Sequence, residues 1–417
     1  MKYICINCNK VFTEFRYTCF CNGMLDIQQD FSSVDTDKLK QLFQQRLSDR
    51  RSIYASGVWR YKELIFPEVE DELVVSKYEG NTGLYSPETI EQYVGARSVW
   101  IKAQSENPSG SFKDNGMTVA VTHGKSLGYS RFTCTSTGNT SSSLAMYAAI
   151  AQQKSYVFVP DKNISLNKVL QTLAYGANIF SFEGTYDNGI KFLEESSESL
   201  GLYICNSINP FRIEGQKSIV YELAQDLNWE LPDWIVVPGG ALSNVSALGK
   251  GLSDLFALGF IDKLPRVAVI QADGASPFYK MITAQKNVLE PEPHPYTLAS
   301  ALNIGDPPSW RKAMRTLQKT NGVAMSVTDD EILNAKAVID ASGIGCEPAS
   351  AATVAGVKKL IQQKVIDKDE TVACILTGHI LKDTDALRMY HIEKEQPYSN
   401  RIITSSLSID SIMEQII

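Results

Sequence analysis

Residues 107–114 read NPSGSFKD, a turn containing proline and glycine that ends on Lys113 and is followed at once by Asp114. Such a turn presents an amine at the start of a helix rather than on a solvated face. An amine in that position can form a Schiff base with an aldehyde cofactor. A lysine in a short turn is more often a solvated charge, so this prediction depends on what the rest of the chain supplies.

Three further stretches have the same small, polar and glycine-rich character. They are STGNTS at 136–141, PGGALSN at 238–244 and LTGHILKD at 376–383. Each follows a short apolar run rich in strand formers, and the first two precede a helical pattern. A strand, a glycine-rich turn and a helix in that order place backbone N–H groups at the carboxyl ends of the strands, where α/β proteins bind ligands.

The bulk composition restricts the class of protein. The chain has 417 residues, 44% hydrophobic and 21% charged, which is typical of a globular protein of more than one domain. Its formal net charge of −7 disfavours nucleic-acid binding, because phosphate backbones select basic surfaces. No apolar run approaches about 18 residues, so no transmembrane helix is expected. The first residues lack the apolar core of a signal peptide, and we predict a cytoplasmic protein.

Half of the eight cysteines are crowded into the first 21 residues. Cys5 and Cys8 have the two-residue spacing of a metal-binding pair, whereas Cys19 and Cys21 are separated by a single residue, which strains a shared metal. The pattern predicts a small zinc ribbon, and a ribbon held by its own packing is the alternative. The remaining cysteines occur singly in apolar segments and are expected to be buried thiols: Cys134, Cys205, Cys346 and Cys374.

Between residues 128 and 205, predicted strands alternate with helices of about 10–14 residues, which indicates βαβ units and a parallel sheet. We predict that 128–205 form a small α/β domain nested inside a larger one. The larger domain would consist of 28–127 and 206–417, with 1–27 as the ribbon.

Two local predictions lie outside the nested domain. The residues from 74 to 85 are predicted to form a strand that ends in a turn. Thr328 and Glu331 have the spacing of a capping box, so a helix should begin between them.

Six segments carry a resemblance that extends over nearly the whole chain. They are NPSGSFKD (107–114), STGNTSSS (136–143), NSINPFRIEGQK (206–217), VPGGALSN (237–244), GIGCEPASAA (343–352) and LTGHILKD (376–383). In this order the segments resemble those of the fold-type II pyridoxal-phosphate enzymes. The resemblance implies an α/β fold with a parallel-sheet large domain and a nested smaller α/β domain. Many members of that family also carry a cysteine-rich amino-terminal ribbon.

The resemblance implies pyridoxal 5'-phosphate as the cofactor and assigns residues to it. Lys113 would hold the cofactor as a Schiff base and then act as the mobile acid and base, with a pKa lowered by burial. Asn139 would bind the ring oxygen, and Thr377 would meet the pyridine nitrogen. The cofactor phosphate would lie in a cradle formed by Gly239, Gly240, Ala241, Leu242, Ser243 and Asn244.

The resemblance also implies a substrate, O-phosphohomoserine. The hydroxyls of Ser136, Thr137 and Thr140 would bind its α-carboxylate together with a helix N-terminus. Its phosphate would be bound by Asn206, Ser207 and Arg212, since a guanidinium can clamp a phosphate with two parallel hydrogen bonds. The alternative is that Arg212 pairs with Glu214 or another carboxylate and is structural. The implied reaction is γ-elimination of phosphate and addition of water at Cβ, which gives threonine as the last step of its biosynthesis.

Alternatives remain for the substrate and for the ribbon. Asn115 and Asn303 stand where the family more often has other residues, so a related fold-type II activity is the second hypothesis. That activity would be β-replacement on an O-activated serine, or deamination of threonine or serine. The ribbon has few basic residues, so packing against the enzyme body or a second subunit is favoured over nucleic-acid binding. A homodimer is compatible with the resemblance.

Overall fold

The structure is a computed structural model that describes residues 1–161 and 166–416. Its strands form three separate sheets. The strands are β1 (Lys2–Cys5), β2 (Val11–Phe12), β3 (Leu25–Gln28), β4 (Leu84–Tyr85), β5 (Val99–Ala103), β6 (Arg131–Thr135), β7 (Lys154–Pro160), β8 (Asn178–Phe182), β9 (Tyr203–Ile204), β10 (Trp234–Pro238), β11 (Arg266–Ala272), β12 (Val323–Val327) and β13 (Val372–Leu376).

Helices cover the sheets and connect most of the parallel strands. They are α1 (Thr36–Arg46), α2 (Lys62–Ile65), α3 (Glu88–Val94), α4 (Lys113–Ser126), α5 (Asn139–Ile150), α6 (Leu166–Ala174), α7 (Tyr186–Leu200), α8 (Pro210–Gln216), α9 (Ser218–Asp226), α10 (Ser243–Ala257), α11 (Pro277–Thr283), α12 (Trp310–Thr320), α13 (Asp329–Ala341), α14 (Pro348–Gln362), α15 (Thr384–Arg388) and α16 (Ile409–Ile416). In the described chain no helix is both long and apolar enough to cross a membrane.

The largest sheet has the strand order β12-β11-β10-β13-β5-β4. All of its pairings are parallel except the antiparallel pairing of β4 with β5. The central strands β10 and β13 are buried along their whole length, as continuous apolar runs in parallel sheets are. Because β10, β13 and β5 are parallel neighbours, their carboxyl ends lie side by side at one edge of the sheet. The loops that follow these three strands therefore meet there.

The second sheet has the order β8-β7-β6-β9 and is parallel throughout. All four strands fall within 128–205, the range predicted for the nested domain. The α/β architecture expected from the sequence is confirmed, while the exact domain borders remain a prediction.

The first 28 residues form a small antiparallel sheet in the order β2-β1-β3. This ribbon packs on the body of the protein. Lys312 of α12 donates to the Leu25 carbonyl at 2.7 Å and pairs with Asp26 at 2.7 Å. The ribbon is thus docked through a body side chain that is buried where the two parts meet.

One predicted strand is wrong, and the capping box is confirmed. Of the residues from 74 to 85, only Leu84–Tyr85 form a strand. The Val75 N–H donates to the Thr122 hydroxyl at 2.9 Å and the Val75 carbonyl accepts from the Thr118 hydroxyl at 2.6 Å. The hydroxyls of these two α4 threonines thus satisfy the backbone N–H and carbonyl of Val75, which in a strand would bond to a neighbouring strand. The Thr328 capping box opens α13 as predicted.

Candidate active site

The lysine turn lies between β5 and α4, and its backbone is tied to the loop that follows β13. Ser111 and Gly378 form an isolated antiparallel bridge. The Phe112 N–H donates to the Thr377 carbonyl at 2.9 Å. Gly110 has a φ of +83°, a conformation that side chains rarely adopt, and it turns the chain toward α4. The lysine turn and the Thr377 loop are therefore joined through their backbones.

Lys113 is the first residue of α4 and is half-buried. Its amine lies 4.2 Å from the centroid of the Phe112 ring. Burial, and to a smaller extent the positive charge of Arg212, lower the pKa of Lys113 to about 7, and the Glu347 carboxylate partly opposes this change. An amine with such a pKa can accept and return a proton near neutral pH, as acid–base catalysis requires.

Asp114 fixes the turn from behind. Its carboxylate accepts the Ser109 N–H at 2.7 Å, the Ser109 hydroxyl at 2.6 Å and the Ser143 hydroxyl at 2.5 Å. Burial raises the pKa of Asp114 to about 6 although these hydrogen bonds oppose the increase. Since Ser143 belongs to α5, Asp114 also joins the lysine turn to that helix.

The residues predicted for the phosphate cradle lie where β10 passes into α10. A Cβ on Gly239 would lie 2.7 Å from Val269 Cγ1, and one on Gly240 would lie 2.7 Å from the Ala301 carbonyl oxygen. Both glycines therefore let the backbone approach its neighbours closely. Leu242 precedes α10 with a φ of +63°.

The cradle offers hydrogen-bond donors. Within the described chain, the backbone N–H groups of residues 240–245 donate to no protein acceptor. Both polar atoms of the buried Asn244 side chain also lack a partner among the described residues. Buried polar groups without partners are rare and call for a ligand or water. A phosphate dianion at the N-terminus of α10 fits these donors, so the residues suit the cofactor that the resemblance implies.

Glu347 joins two of the predicted cofactor contacts and was missed as a site residue. Its Oε2 accepts the Asn139 side-chain amide at 2.9 Å, and its Oε1 accepts the Thr377 hydroxyl at 3.1 Å. Thr377 also shares a hydrogen bond of 2.9 Å with the Ser350 hydroxyl. Burial raises the pKa of Glu347. The signal was present in GIGCEPASAA, where an acidic residue precedes the proline that opens α14.

Lys382 is a second residue that sequence reasoning did not assign. Its amine donates to Gln171 Oε1 at 2.5 Å and to the Ser142 hydroxyl at 3.2 Å. The Gln171 side chain in turn donates to the Ser109 carbonyl at 2.9 Å. Burial lowers the pKa of Lys382. The loop after β13 is thereby joined to α5, α6 and the lysine turn.

The residues predicted for the α-carboxylate lie at the start of α5. Ser136, Thr137 and Thr140 are all partly exposed. The Ser136 hydroxyl accepts the Gly138 N–H at 3.1 Å. The hydroxyls of Thr137 and Thr140 form no hydrogen bond within the described residues. These two hydroxyls are thus available to a ligand at the helix N-terminus.

The residues predicted for the substrate phosphate lie between β9 and α8. The Asn206 side chain accepts the Thr135 N–H and donates to the Thr135 carbonyl, both at 3.0 Å. Ser207 is partly exposed, and Arg212 is buried, with Nη1 donating to the Cys205 carbonyl at 2.7 Å. Asn206 therefore fixes the segment to the end of β6.

The alternative partner of Arg212 is engaged elsewhere. Glu214 pairs with Lys217 at 2.7 Å and also with Lys250. Within the described chain its carboxylate thus pairs with two lysines and not with Arg212. A pair of Arg212 with Glu214 is therefore not formed, whereas a structural pair with another carboxylate stays an alternative.

Arg212 is held against the helix that begins with Lys113. A Cβ on Gly116 would lie 2.7 Å from the Arg212 carbonyl oxygen and 2.8 Å from its Nε. Asn115, one of the unusual positions, donates to the Ser218 hydroxyl at 2.9 Å and is buried. The other unusual position, Asn303, is exposed in the segment whose Ala301 carbonyl faces the phosphate cradle.

The four cysteines of the ribbon converge. Their sulfur atoms all lie within 4.8 Å of one another. Cys5 and Cys21 are 3.5 Å apart, and Cys8 and Cys19 are 3.6 Å apart. Four thiolates around a tetrahedral zinc ion, with Zn–S bonds of about 2.3 Å, have sulfurs about 3.8 Å apart. The one-residue spacing of the second pair therefore does not prevent a shared site.

Comparisons with known proteins identify the family of the chain. A model of the pyridoxal-phosphate dependent enzymes matches residues 75–378. The chain is 40% identical over 385 residues to the threonine synthase of Methanocaldococcus jannaschii, covering 92% of this chain and 93% of that protein. Over 385 residues it is 41% identical to the threonine synthase of Methanosarcina acetivorans, covering 91% of each. It is also 34% identical over 406 residues to chloroplastic threonine synthase 2 of Arabidopsis thaliana, covering 95% and 79%.

The chain therefore belongs to the pyridoxal-phosphate dependent enzyme family. The relatives just described are threonine synthases, the branch of the family that the sequence segments indicated.

Solved structures confirm the fold. Maize serine racemase superposes with a TM-score of 0.62 at 19% identity, covering 78% of this chain and 94% of that one. Threonine deaminase isoform 2 of Solanum lycopersicum superposes with a TM-score of 0.63 at 18% identity, covering 85% and 89%. Identities this low carry no information on the substrate, but they establish the fold-type II architecture.

Proposed function

We propose that this enzyme converts O-phosphohomoserine and water to threonine and phosphate. The names of the relatives support the activity, and the site supports it independently. The observation that carries the proposal is the position of Arg212. Its charge is close enough to lower the pKa of Lys113, and its backbone packs on Gly116, one turn further along the same helix. A phosphate-binding guanidinium beside the catalytic amine is what a phosphorylated amino acid requires.

The cofactor and the residues around it have separate roles in the reaction. Pyridoxal phosphate, when bound, supplies an electron sink that stabilises negative charge at the substrate carbon. Lys113 would hold the cofactor and take one proton from Cα and one from Cβ as phosphate leaves Cγ; protons then return to Cγ and to Cα, and water adds its oxygen at Cβ. Asn139 and Thr377 would orient the cofactor ring, with Thr377 offering a hydroxyl rather than a carboxylate to the ring nitrogen. A hydroxyl does not force that nitrogen to be protonated, which keeps the electron sink mild.

The two ends of the substrate are bound by different elements. Ser136, Thr137 and Thr140 bind the α-carboxylate at the N-terminus of α5, where the helix dipole favours an anion. Ser207 and Arg212 bind the phosphate, and Asn206 holds their segment against β6. As phosphate leaves, Arg212 stabilises the charge that develops on it.

The proposal is tested by incubating the purified holoenzyme with O-phosphohomoserine while phosphate and amino-acid products are measured together. Threonine and phosphate in equal amounts are expected. Release of 2-oxobutyrate with phosphate would instead show elimination without capture of water and would direct attention to Asn115 and Asn303. An enzyme that binds the cofactor but does not turn over would favour β-replacement on an O-activated serine.

The ribbon is proposed to hold a structural zinc ion through Cys5, Cys8, Cys19 and Cys21. The convergence of their sulfurs supports this proposal. Metal analysis of the purified protein, before and after chelation, tests it. About one zinc per chain is expected, and a protein that keeps its fold with no stoichiometric metal would favour a ribbon held by packing alone.

Two further proposals concern assembly and location. A homodimer is supported by apolar side chains exposed near the carboxyl terminus, among them Ile402, Leu407 and Ile409. Light scattering of the full chain and of a chain ending at residue 398 would test it. A cytoplasmic location is supported by the cysteines of the described chain, all of which are free thiols.

A further inference from the structure

We propose that the amino-terminal ribbon positions the segment that binds the substrate phosphate, and that it does so through Tyr17 and Phe15. We call residues 204–212, which lead from β9 to Arg212, the phosphate segment. This inference rests on the proposed function, since it assumes that Arg212 binds the phosphate. It gives the ribbon a part in substrate affinity as well as in stability.

Tyr17 makes a hydrogen bond to the first residue of the phosphate segment. Its hydroxyl accepts the Ile204 N–H at 2.8 Å. Ile204 is fully buried, and β9 is an edge strand whose one neighbour is β6. An edge strand presents backbone groups that need partners from outside the sheet. The ribbon supplies that partner at the point where the segment leaves β9.

Phe15 packs against the far end of the same segment. Its ring stacks on Tyr203 with the centroids 5.7 Å apart and lies 6.0 Å from the Phe211 ring. It also meets His123 edge-on at 4.7 Å. Phe211 precedes Arg212 directly and stacks on His123 at 3.5 Å. One ribbon side chain thus contacts the residue just before the phosphate segment and a residue near its end.

Internal hydrogen bonds make the segment respond as a unit. Asn209 donates to the Ile204 carbonyl at 2.8 Å and accepts the Phe211 N–H at 3.0 Å. Arg212 donates to the Cys205 carbonyl at 2.7 Å. A shift of Ile204 would therefore also move the Arg212 guanidinium, because the carbonyls of Ile204 and Cys205 accept hydrogen bonds from Asn209 and Arg212. Tyr17 and Phe15 are positioning residues that act through these contacts.

The conformation of the ribbon at Phe15 and Tyr17 is set by the cysteine cluster. Both aromatic residues lie between Cys8 and Cys19, whose sulfurs are 3.6 Å apart. The loop that carries them is therefore closed at its base by the residues proposed to hold zinc. A closed loop places the two rings with less conformational freedom than an open one.

The test uses the holoenzyme and inorganic phosphate as the probe of the phosphate site. Tyr17→Phe removes one hydroxyl and keeps the packing of the ring. Phosphate binding, measured by calorimetry, is expected to weaken roughly two- to tenfold, the range that one lost hydrogen bond corresponds to. The KM for O-phosphohomoserine should rise by the same factor. The turnover number and the visible absorbance of the bound cofactor should stay unchanged.

The matched control is Phe20→Leu. Phe20 belongs to the same ribbon but is 68% exposed, and its ring meets Phe12 rather than the phosphate segment. This variant should bind phosphate as the wild type does. Phe15→Leu, which keeps an apolar side chain and removes the aromatic contacts, should behave like Tyr17→Phe.

Two results would overturn the inference. In the first, Tyr17→Phe and Phe15→Leu bind phosphate with wild-type affinity. In the second, they raise KM and lower turnover and thermal stability together with no selective effect on phosphate, as a purely structural role predicts. Arg212→Lys separates this failure from a failure of the proposed function. If Arg212→Lys also leaves phosphate binding unchanged, the phosphate site itself has been misassigned.

Discussion

Asn139 and Glu347 lie 208 positions apart in the chain, and their side chains share a hydrogen bond of 2.9 Å. The same carboxylate accepts the hydroxyl of Thr377. One buried acid therefore orients both residues that we assign to the cofactor ring. It also lies close enough to Lys113 to influence the pKa of that amine.

Glu347→Gln should impair turnover without unfolding the enzyme. An amide can accept from only one of Asn139 and Thr377, because its nitrogen is a donor. We expect the turnover number to fall roughly ten- to hundredfold, as for the loss of a hydrogen bond to a charged group, and the visible cofactor spectrum to change. Glu331→Gln, in the exposed capping box of α13, is the isosteric control and should leave both unchanged. A wild-type rate in Glu347→Gln would remove this acid from the mechanism.

Cofactor capture by the apoenzyme should depend on pH through Lys113. Only the neutral amine attacks an aldehyde, and the pKa of Lys113 is lowered from 10.5 to about 7. The rate at which the visible absorbance grows should therefore rise with pH, pass its midpoint near 7 and then level off.

The charge of Arg212 offers a control for this pH dependence. Arg212→Gln removes a positive charge that disfavours protonation of Lys113, so the midpoint should move to higher pH. Arg212→Lys keeps the charge and should keep the midpoint, although it loses the two parallel hydrogen bonds to phosphate. A wild-type midpoint close to 10 would contradict the assignment of Lys113.

Asn244→Leu should stabilise the apoenzyme and weaken the binding of the cofactor. The variant removes two buried polar atoms that have no partner among the described residues, so the free energy of unfolding should increase by about 1–2 kcal/mol. Cofactor affinity should fall because a donor to the phosphate is lost. Denaturant unfolding of the apoenzyme and a cofactor titration measure the two effects.

Asn334→Leu is the control for that experiment. Asn334 lies on α13 and accepts the Tyr390 hydroxyl at 2.7 Å, so its polar group already has a partner. This variant should lower stability and leave cofactor affinity as it was. If Asn244→Leu behaved in the same way, Asn244 would have no part in the phosphate cradle.

Loss of the metal should weaken the binding of inorganic phosphate while the cofactor stays bound. Cys8→Ser is expected to abolish the binding of stoichiometric zinc. It should also lower the affinity for inorganic phosphate by a factor similar to that expected for Tyr17→Phe. The visible absorbance of the bound cofactor should be retained. Cys134→Ala, which alters a single buried thiol of β6, should keep its metal. Normal metal content in Cys8→Ser would exclude the four-cysteine site.

The sequence predicted the parts of the site that depend on local order. Lys113 follows a strand and a turn, and the cradle follows another strand, so each could be recognised from neighbouring residues alone. The parallel alternation from 128 to 205 was equally local. These features follow from turn chemistry and periodicity, which a short window of sequence contains.

The contacts that were missed join distant parts of the chain. Glu347 resembles an ordinary residue before a helix until Asn139 and Thr377 are placed beside it. The strand predicted from residue 74 is wrong for a similar reason. The α4 threonines that hydrogen-bond to its backbone in place of a second strand lie more than forty positions away. Tyr17 and Ile204 are 187 positions apart. No periodicity records such pairs.

The ion pair between Lys312 and Asp26 bears on how such an enzyme could change over evolutionary time. The Lys312 side chain is 1% exposed, and both of its partners, Asp26 and the Leu25 carbonyl, belong to the ribbon. Deleting the ribbon would remove both partners and uncover the lysine, which would then be solvated on a newly exposed surface. A lineage that lost the ribbon would therefore no longer need a lysine at position 312. Descendants without the cysteines should vary freely at that position.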